Sequence, residues 1–225
     1  RNNIQSRFNL YSWIGLPEYE RYITNLKNSG ITEIEQTGRR LKGQKINISR
    51  DTINIIKDVG LNATLYTGIF GSENIVNNKQ FSQSCQRDSE GNILTYNNSR
   101  VNAMMCPNSR YIEESTIPEI ISTLNHSSYD KIFFDIPWIM KNGCYCNNCR
   151  GLKSSGIDNH KLINIAFSKT VNAIRDVHPN IIISVNCGAP GIYIPDWTMP
   201  DVKSLDFLVD EIVSEWNPLR MGQQT

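Results

Sequence analysis

KIFFDIPWIMKNGCYCNNC, residues 131–149, joins a short apolar run to a group of cysteines. Ile132, Phe133 and Phe134 follow one another with no polar alternation, the pattern of a strand buried on both faces in a parallel sheet covered by helices. Asp135 ends the run, and Pro137, which has no amide hydrogen to give to a ladder, stops it. A carboxylate in that place is costly unless it is paired or used. Cys144, Cys146 and Cys149 then lie within six residues, a C-x-C-x-x-C spacing that suits one metal ion better than disulfide bridges.

Working outward, the chain alternates. FNLYSW (8–13) is strand-like, LPEYERYITNLKNSG (16–30) has helical periodicity closing on Gly30, and ITEIEQ (31–36) is again strand-like. SRDTINIIKDVG (49–60) repeats the helix, with Ser49 or Asp51 as its cap, and LNATLYTGIF (61–70) is a third strand. Some forty residues then break the pattern: QRDSEGNILTY (86–96) reads as a hairpin about Glu90-Gly91, and CPNSRYIEESTIPEIISTLNHSSYD resumes helical spacing. Beyond the 131–137 strand come a helix at 159–180, a fifth strand IIISVNCG (181–188), and SLDFLVDEI (204–212) as a sixth, with an acidic pair at its C-terminal end.

This alternation predicts a parallel α/β architecture, either a doubly wound sheet or a (β/α)8 TIM barrel. A barrel of about 250 residues needs two more units, which agrees with the abrupt end at Thr225. The expectation is therefore one barrel domain over residues 1–225, carrying strands one to six of eight and truncated at its C-terminus. A barrel would gather Trp13, Gln36, Tyr66, Asp135, Asn186, Asp210 and Glu211 on one rim.

Composition narrows the partners. Lys plus Arg number 23 and Asp plus Glu 22, spread without long runs, so no strong field favours nucleic acid or an anionic membrane, and a small uncharged ligand fits better. No segment has the apolar length of a membrane span, and the N-terminus lacks the apolar core of a signal peptide. These features read as a soluble, cytoplasmic protein with reduced or metal-bound cysteines, and they leave a homo-oligomer open.

Asp135 is the first candidate for chemistry. Hydrolysis of a glycosidic bond needs two carboxyl groups, one to protonate the leaving oxygen and one to attack or to activate water. For the second, strand alternation points to Glu211, and a bulge at the strand end would exchange it for Asp210. Glu35 also lies near a strand end, where an interior salt bridge would explain it. The bland reading of Asp135 is a loop cap or an Arg partner. Trp138, Trp13 and Tyr66 stand at or just after strand ends, where rings stack on sugar faces while polar neighbours such as Asn186 bind hydroxyls; core packing is the alternative for each. Three thiolates need a fourth ligand, for which Cys106 is the best placed, with Cys85, Cys187, His126, His160 and His178 as competitors. His178 itself reads as a helix C-cap.

The run from CPNSRYIEE through YDKIFFD to CYCNNC resembles the barrel domain of glycoside hydrolase family 42 β-galactosidases, and the uncharacterised "hypothetical glycosyl hydrolase" barrels related to them. The resemblance covers Cys106 to Arg150, with a looser fit of strand order from Phe8 to Glu211. It implies a glycosidase acting on a carbohydrate substrate, with a structural zinc held by Cys106, Cys144, Cys146 and Cys149. That family carries Asn-Glu at the end of strand four, where this chain has Phe134-Asp135, and its nucleophile lies on strand seven. A strand-four Asp is instead similar to the nucleophile of α-fucosidase-like and α-galactosidase-like retaining barrels. Under that likeness Asp135 attacks the anomeric carbon, and Glu211 or Asp210 protonates the leaving oxygen. The competing expectations are a non-catalytic carbohydrate-binding barrel that lacks the pair, and a disulfide-bonded structural domain.

Overall fold

The computed structural model describes residues 7–9, 16–37, 50–70, 72–74, 79–95, 102–135, 139–140, 143–186, 197–198 and 208–213. The chain runs through β1 (Arg7–Asn9), α1 (Leu16–Asn28), β2 (Glu33–Thr37), α2 (Arg50–Asp58), β3 (Asn62–Gly68), β4 (Ser72–Asn74), a 3-10 helix (Lys79–Ser84) and β5 (Asn102–Met104). A π-helical turn (Ile112–Thr116) leads into α3 (Ile117–His126) and β6 (Lys131–Asp135). Then follow β7 (Ile139–Met140), α4 (Asn147–Ser154), α5 (Asn159–Val177), β8 (Ile182–Asn186), β9 (Trp197–Thr198) and β10 (Glu211–Val213).

Six strands pair in the order β1-β2-β3-β6-β8-β10, every pair parallel. A doubly wound sheet reverses its strand order part-way. This one never does, so its crossovers all travel round in one direction, as in a (β/α) barrel. The antiparallel pairs β4-β5 and β7-β9 stand outside the sheet, each in an excursion that leaves the C-terminal end of a sheet strand. The hairpin expected about Glu90-Gly91 is present, with Arg87 bridged to Ile93 and the Asp88 amide donating to the Asn92 carbonyl at 3.0 Å.

Local sequence explains the element ends. Gly30 and Gly60 follow α1 and α2 with φ of 91° and 82°, a left-handed turn that costs glycine little. There the amides of Ile31 and Leu61 reach back to the carbonyls of Leu26 and Ile56, at 3.1 Å each. Asp158 caps α5 through the Lys161 amide, and His178 closes it as its C-cap residue.

Strand alternation then sorts the residues of the sheet. Ile34, Leu65, Ile132, Phe134, Ile183 and Val185 turn outward into an apolar core shared with Ile23, Ile53, Ile56, Leu162 and Phe167 of the helices. Phe134 meets Phe167 edge-on, with ring centroids 5.4 Å apart. The opposite face is polar, carrying Glu33, Thr64, Tyr66, Lys131, Asp135, Ser184 and Asn186, all buried but the half-buried Tyr66. Phe133 lies on it with its ring 5.7 Å from that of Tyr66, apart from the apolar core that holds its two neighbours.

The sixth strand corrects the sequence reading. Expected over 204–212 with its acids at the C-terminal end, it instead begins at Glu211. Glu211 does face the polar interior, but from the entry of its strand, where its carboxylate sits 2.8 Å from Lys131 Nζ. Lys131, the first residue of β6, also bonds Glu33 at 2.8 Å, and Glu33 accepts from the Thr64 hydroxyl at 2.6 Å. Asp210 points the other way: it accepts from the Ile183 amide at 2.8 Å and pairs with Arg175 of α5 at 3.1 Å. Both acids are thus engaged at the end of the sheet opposite to the rim where they were placed.

Candidate active site

Asp135 is the last residue of β6, about 13 Å along the strand from Lys131 at roughly 3.3 Å per residue. It is only 7% exposed, and no cation neutralises it among the described residues. Its two oxygens are held from the strands on either side. The Tyr66 hydroxyl of β3 donates to Oδ2, and the Asn186 amide of β8 donates to Oδ1 at 3.0 Å. The structure therefore brings three of the expected residues together, although Tyr66 and Asn186 turn their polar groups to the carboxylate itself. Glu211 and Asp210 do not join them, for the reasons given above. Trp13 and Trp138 lie outside the described residues.

The cysteines assemble on the same rim. Cys106 follows β5 in the excursion from β3, and Cys144, Cys146 and Cys149 follow β7 in the excursion from β6. All four are buried, and their Sγ atoms lie within 4.8 Å of one another; Cys106 Sγ is 3.4 Å from those of Cys146 and Cys149. A tetrahedral ion with metal–sulfur bonds of about 2.3 Å separates its sulfurs by about 3.8 Å, so the donor set fits a four-thiolate metal centre. Among the described residues this is the one group of metal-ligating side chains so arranged, and none of the competing histidines belongs to it. Cys85 stands apart as a buried thiol, pushed up to about 11 by desolvation. Cys187 lies outside the described residues.

Hydrogen bonds between the sulfurs divide their acidities. Cys146 is driven well below the ordinary thiol range by Cys106 and its other neighbours donating to it, while Cys106, sharing its proton with Cys144, Cys146 and Cys149, is driven above it. Outside the sulfurs, the Asn108 side-chain amide approaches Cys149 Sγ at 3.9 Å, and the Cys106 amide donates to the Ser84 carbonyl at 2.6 Å. Gly143, before the first cysteine of the loop, packs closely on the hairpin: a Cβ there would stand 2.6 Å from Leu94 Cδ1, so that side-chain end would have to shift. Gln86, wholly buried, stitches the same region together. Its Oε1 accepts from the Met140 amide at 3.0 Å, and its Nε2 donates to the Met105 carbonyl at 3.1 Å.

Comparison with solved structures places this geometry. The chain superposes on the polyextremophilic β-galactosidase of the Antarctic haloarchaeon Halorubrum lacusprofundi with a TM-score of 0.68, at 13% identity, over 95% of this chain and 40% of that one. The likeness is one of fold, a parallel (β/α) barrel arrangement. α-L-Fucosidase isoenzyme 2 from Paenibacillus thiaminolyticus matches with a TM-score of 0.58 at 14% identity, over 83% of this chain and 32% of that one. A GH36 α-galactosidase from Geobacillus stearothermophilus matches with 0.54 at 12% identity, over 82% and 28%. The chain thus spans well under half the length of each of these structures. No family model matches it, and no curated protein matches it in sequence. No helix among the described residues is long and apolar enough to cross a membrane.

Sequence reasoning missed the ion cluster of Lys131, Glu33 and Glu211, because nothing in local spacing pairs residues 98 and 80 positions apart. The one available signal was a lysine opening an otherwise apolar strand.

Proposed function

We propose that the chain is a glycoside hydrolase of the retaining type in which Asp135 is the nucleophile, Tyr66 and Asn186 are its positioning residues, and the substrate is an α-galactoside- or α-fucoside-like carbohydrate. The observation that carries this reading is the hydrogen-bonded carboxylate at the C-terminal end of the fourth strand of the sheet. In barrels of this architecture catalytic groups come from that end of the strands. Donors on both oxygens fix the plane of the carboxylate and suit attack along a set direction. A general acid would instead need an oxygen presenting a proton to the leaving group. In the step proposed, an Asp135 oxygen bonds to the anomeric carbon as the glycosidic C–O bond breaks and the leaving oxygen takes a proton from a second carboxyl group; water then releases the sugar and regenerates Asp135. Glu211 and Asp210 are not that second group.

Cys106, Cys144, Cys146 and Cys149 would hold a structural zinc, the feature in which the chain resembles family 42 barrels. Four protein ligands leave the ion no open position for substrate, so its contribution is to the shape of the rim.

Steady-state assays on aryl α-galactosides, α-fucosides and β-galactosides test the proposal. Asp135→Gly is expected to cut turnover at least about a thousandfold, and added azide, which replaces the missing nucleophile, should restore it with formation of a glycosyl azide. Unchanged hydrolysis in Asp135→Gly would sink the assignment. Glycan binding by the wild-type chain with no turnover on any substrate would favour the carbohydrate-binding barrel instead.

A further inference from the structure

We propose that the cavity beside the cysteine cluster is a binding site for a small ligand bearing a phosphate or sulfate group. The cavity has a volume of about 710 Å³, within the roughly 300–1,000 Å³ typical of small-molecule sites. Arg87, Arg110 and Arg150 line it together with Ser109, Tyr145, Asn148 and Cys146 of the cysteine cluster, and no carboxylate is among its described lining residues.

Two of the arginines, Arg87 and Arg150, are held by carbonyls and not by carboxylates. Arg87 donates to the carbonyls of Gly91 at 2.7 Å and Ser82 at 3.4 Å, and Arg150 to those of Tyr145 at 2.8 Å and Ser89 at 3.1 Å. Carbonyl partners orient a guanidinium plane but bring no negative charge, and five N–H donors per guanidinium leave others for a ligand. Among the described residues Arg110 has a long, exposed ion pair with Glu114, at 3.7 Å, of a kind worth little in water. A further cation, Lys153 Nζ, lies 3.8 Å from the centre of the Tyr145 ring in the cavity wall.

The nearby acids are engaged elsewhere. Asp88 is held below the ordinary carboxylate range by the Asn92 side-chain amide and by the amides of its own turn, and Glu90 accepts from that same Asn92 side chain. Guanidinium groups oriented by carbonyls, with no carboxylate in the described cavity wall, are the chemistry that recognises tetrahedral oxyanions in forked geometry. The volume exceeds a bare ion, which points to an ester with an organic body, such as a sugar phosphate or sulfate. The site involves none of the residues assigned to Asp135, so it stands or falls separately from the hydrolase reading.

Calorimetric titration of the purified chain with inorganic phosphate, inorganic sulfate and a hexose 6-phosphate, at constant ionic strength set with chloride, tests this. Saturable binding is expected, tightest for the hexose phosphate, and weakened about tenfold or more in Arg150→Gln and in Arg110→Gln. Arg110 is 60% exposed and its ion pair with Glu114 is equally open to solvent, so its variant should keep the fold even if loss of Arg150 loosens the loop. Wild-type affinity in Arg110→Gln and Arg150→Gln, or no saturable heat beyond that of chloride, would overturn the site.

Discussion

Asp135 depends on two neutral donors for its orientation, and each can be removed by a single substitution. Tyr66→Phe takes away one hydrogen bond to a charged oxygen, an interaction of about 1.5–3 kcal/mol. If Asp135 is the nucleophile, kcat should fall about 10–100-fold with KM little altered, and Asn186→Ala should do the same from the other side. Circular dichroism should show both variants folded. Full kcat in Tyr66→Phe would remove the phenol from the positioning role. Asp135 stood out in the sequence because a charge closing an apolar run is conspicuous without any neighbours. The duty of Tyr66 and Asn186 was hidden, since the donors lie 69 and 51 residues from the acceptor. Their strand-end positions were readable, but which group each side chain would meet was set by register between strands.

At the scale of elements, the cysteine cluster joins two excursions that have little regular structure of their own. β5 and β7 are three and two residues long, so the loops carrying Cys106 and Cys144 gain few backbone bonds from their strands. A four-thiolate zinc contributes on the order of 10 kcal/mol to such a unit. Elemental analysis should find about one zinc per chain, and Cys149→Ser should lose it. Even 4 kcal/mol of that contribution would lower Tm by about 8–16 °C in a domain of this size. Because thiolates bind only when deprotonated, the metal should be retained at neutral pH and released as pH falls. A fully stable Cys149→Ser protein without metal would rule out the clip. The grouping of the cysteines was readable in advance because three of the four lie within six residues. The sixth strand was not, since Asp210 and Glu211 continue the alternation of LVDEI and give no sign of which end of the strand they mark. The Asp210 contacts with the Ile183 amide and Arg175, which place them at the strand entry, come from distant parts of the chain.

Across the whole molecule, Lys131 of the fourth sheet strand binds Glu33 of the second and Glu211 of the sixth. None of these strands is adjacent to another, so the contacts cross the interior of the arc. Barrel interiors are filled in layers drawn from alternate strands, and here such a layer is ionic. Lys131 and Glu33 are 4% and 3% exposed, whereas Glu211 is 31% exposed, so solvent screens the second contact and the first dominates. Breaking a buried pair from one side strands the partner charge, at about 3–5 kcal/mol. Lys131→Met should therefore lower stability by that amount in a denaturant titration. Adding Glu33→Leu should recover most of the loss, since an apolar pair leaves no charge unsolvated. Asp135 stands at the other end of β6, so activity per folded molecule should stay near wild type in both variants. A Lys131→Met chain as stable as wild type would show that this layer does not hold the arc together. Lost activity with retained stability would tie Lys131 to the chemistry instead.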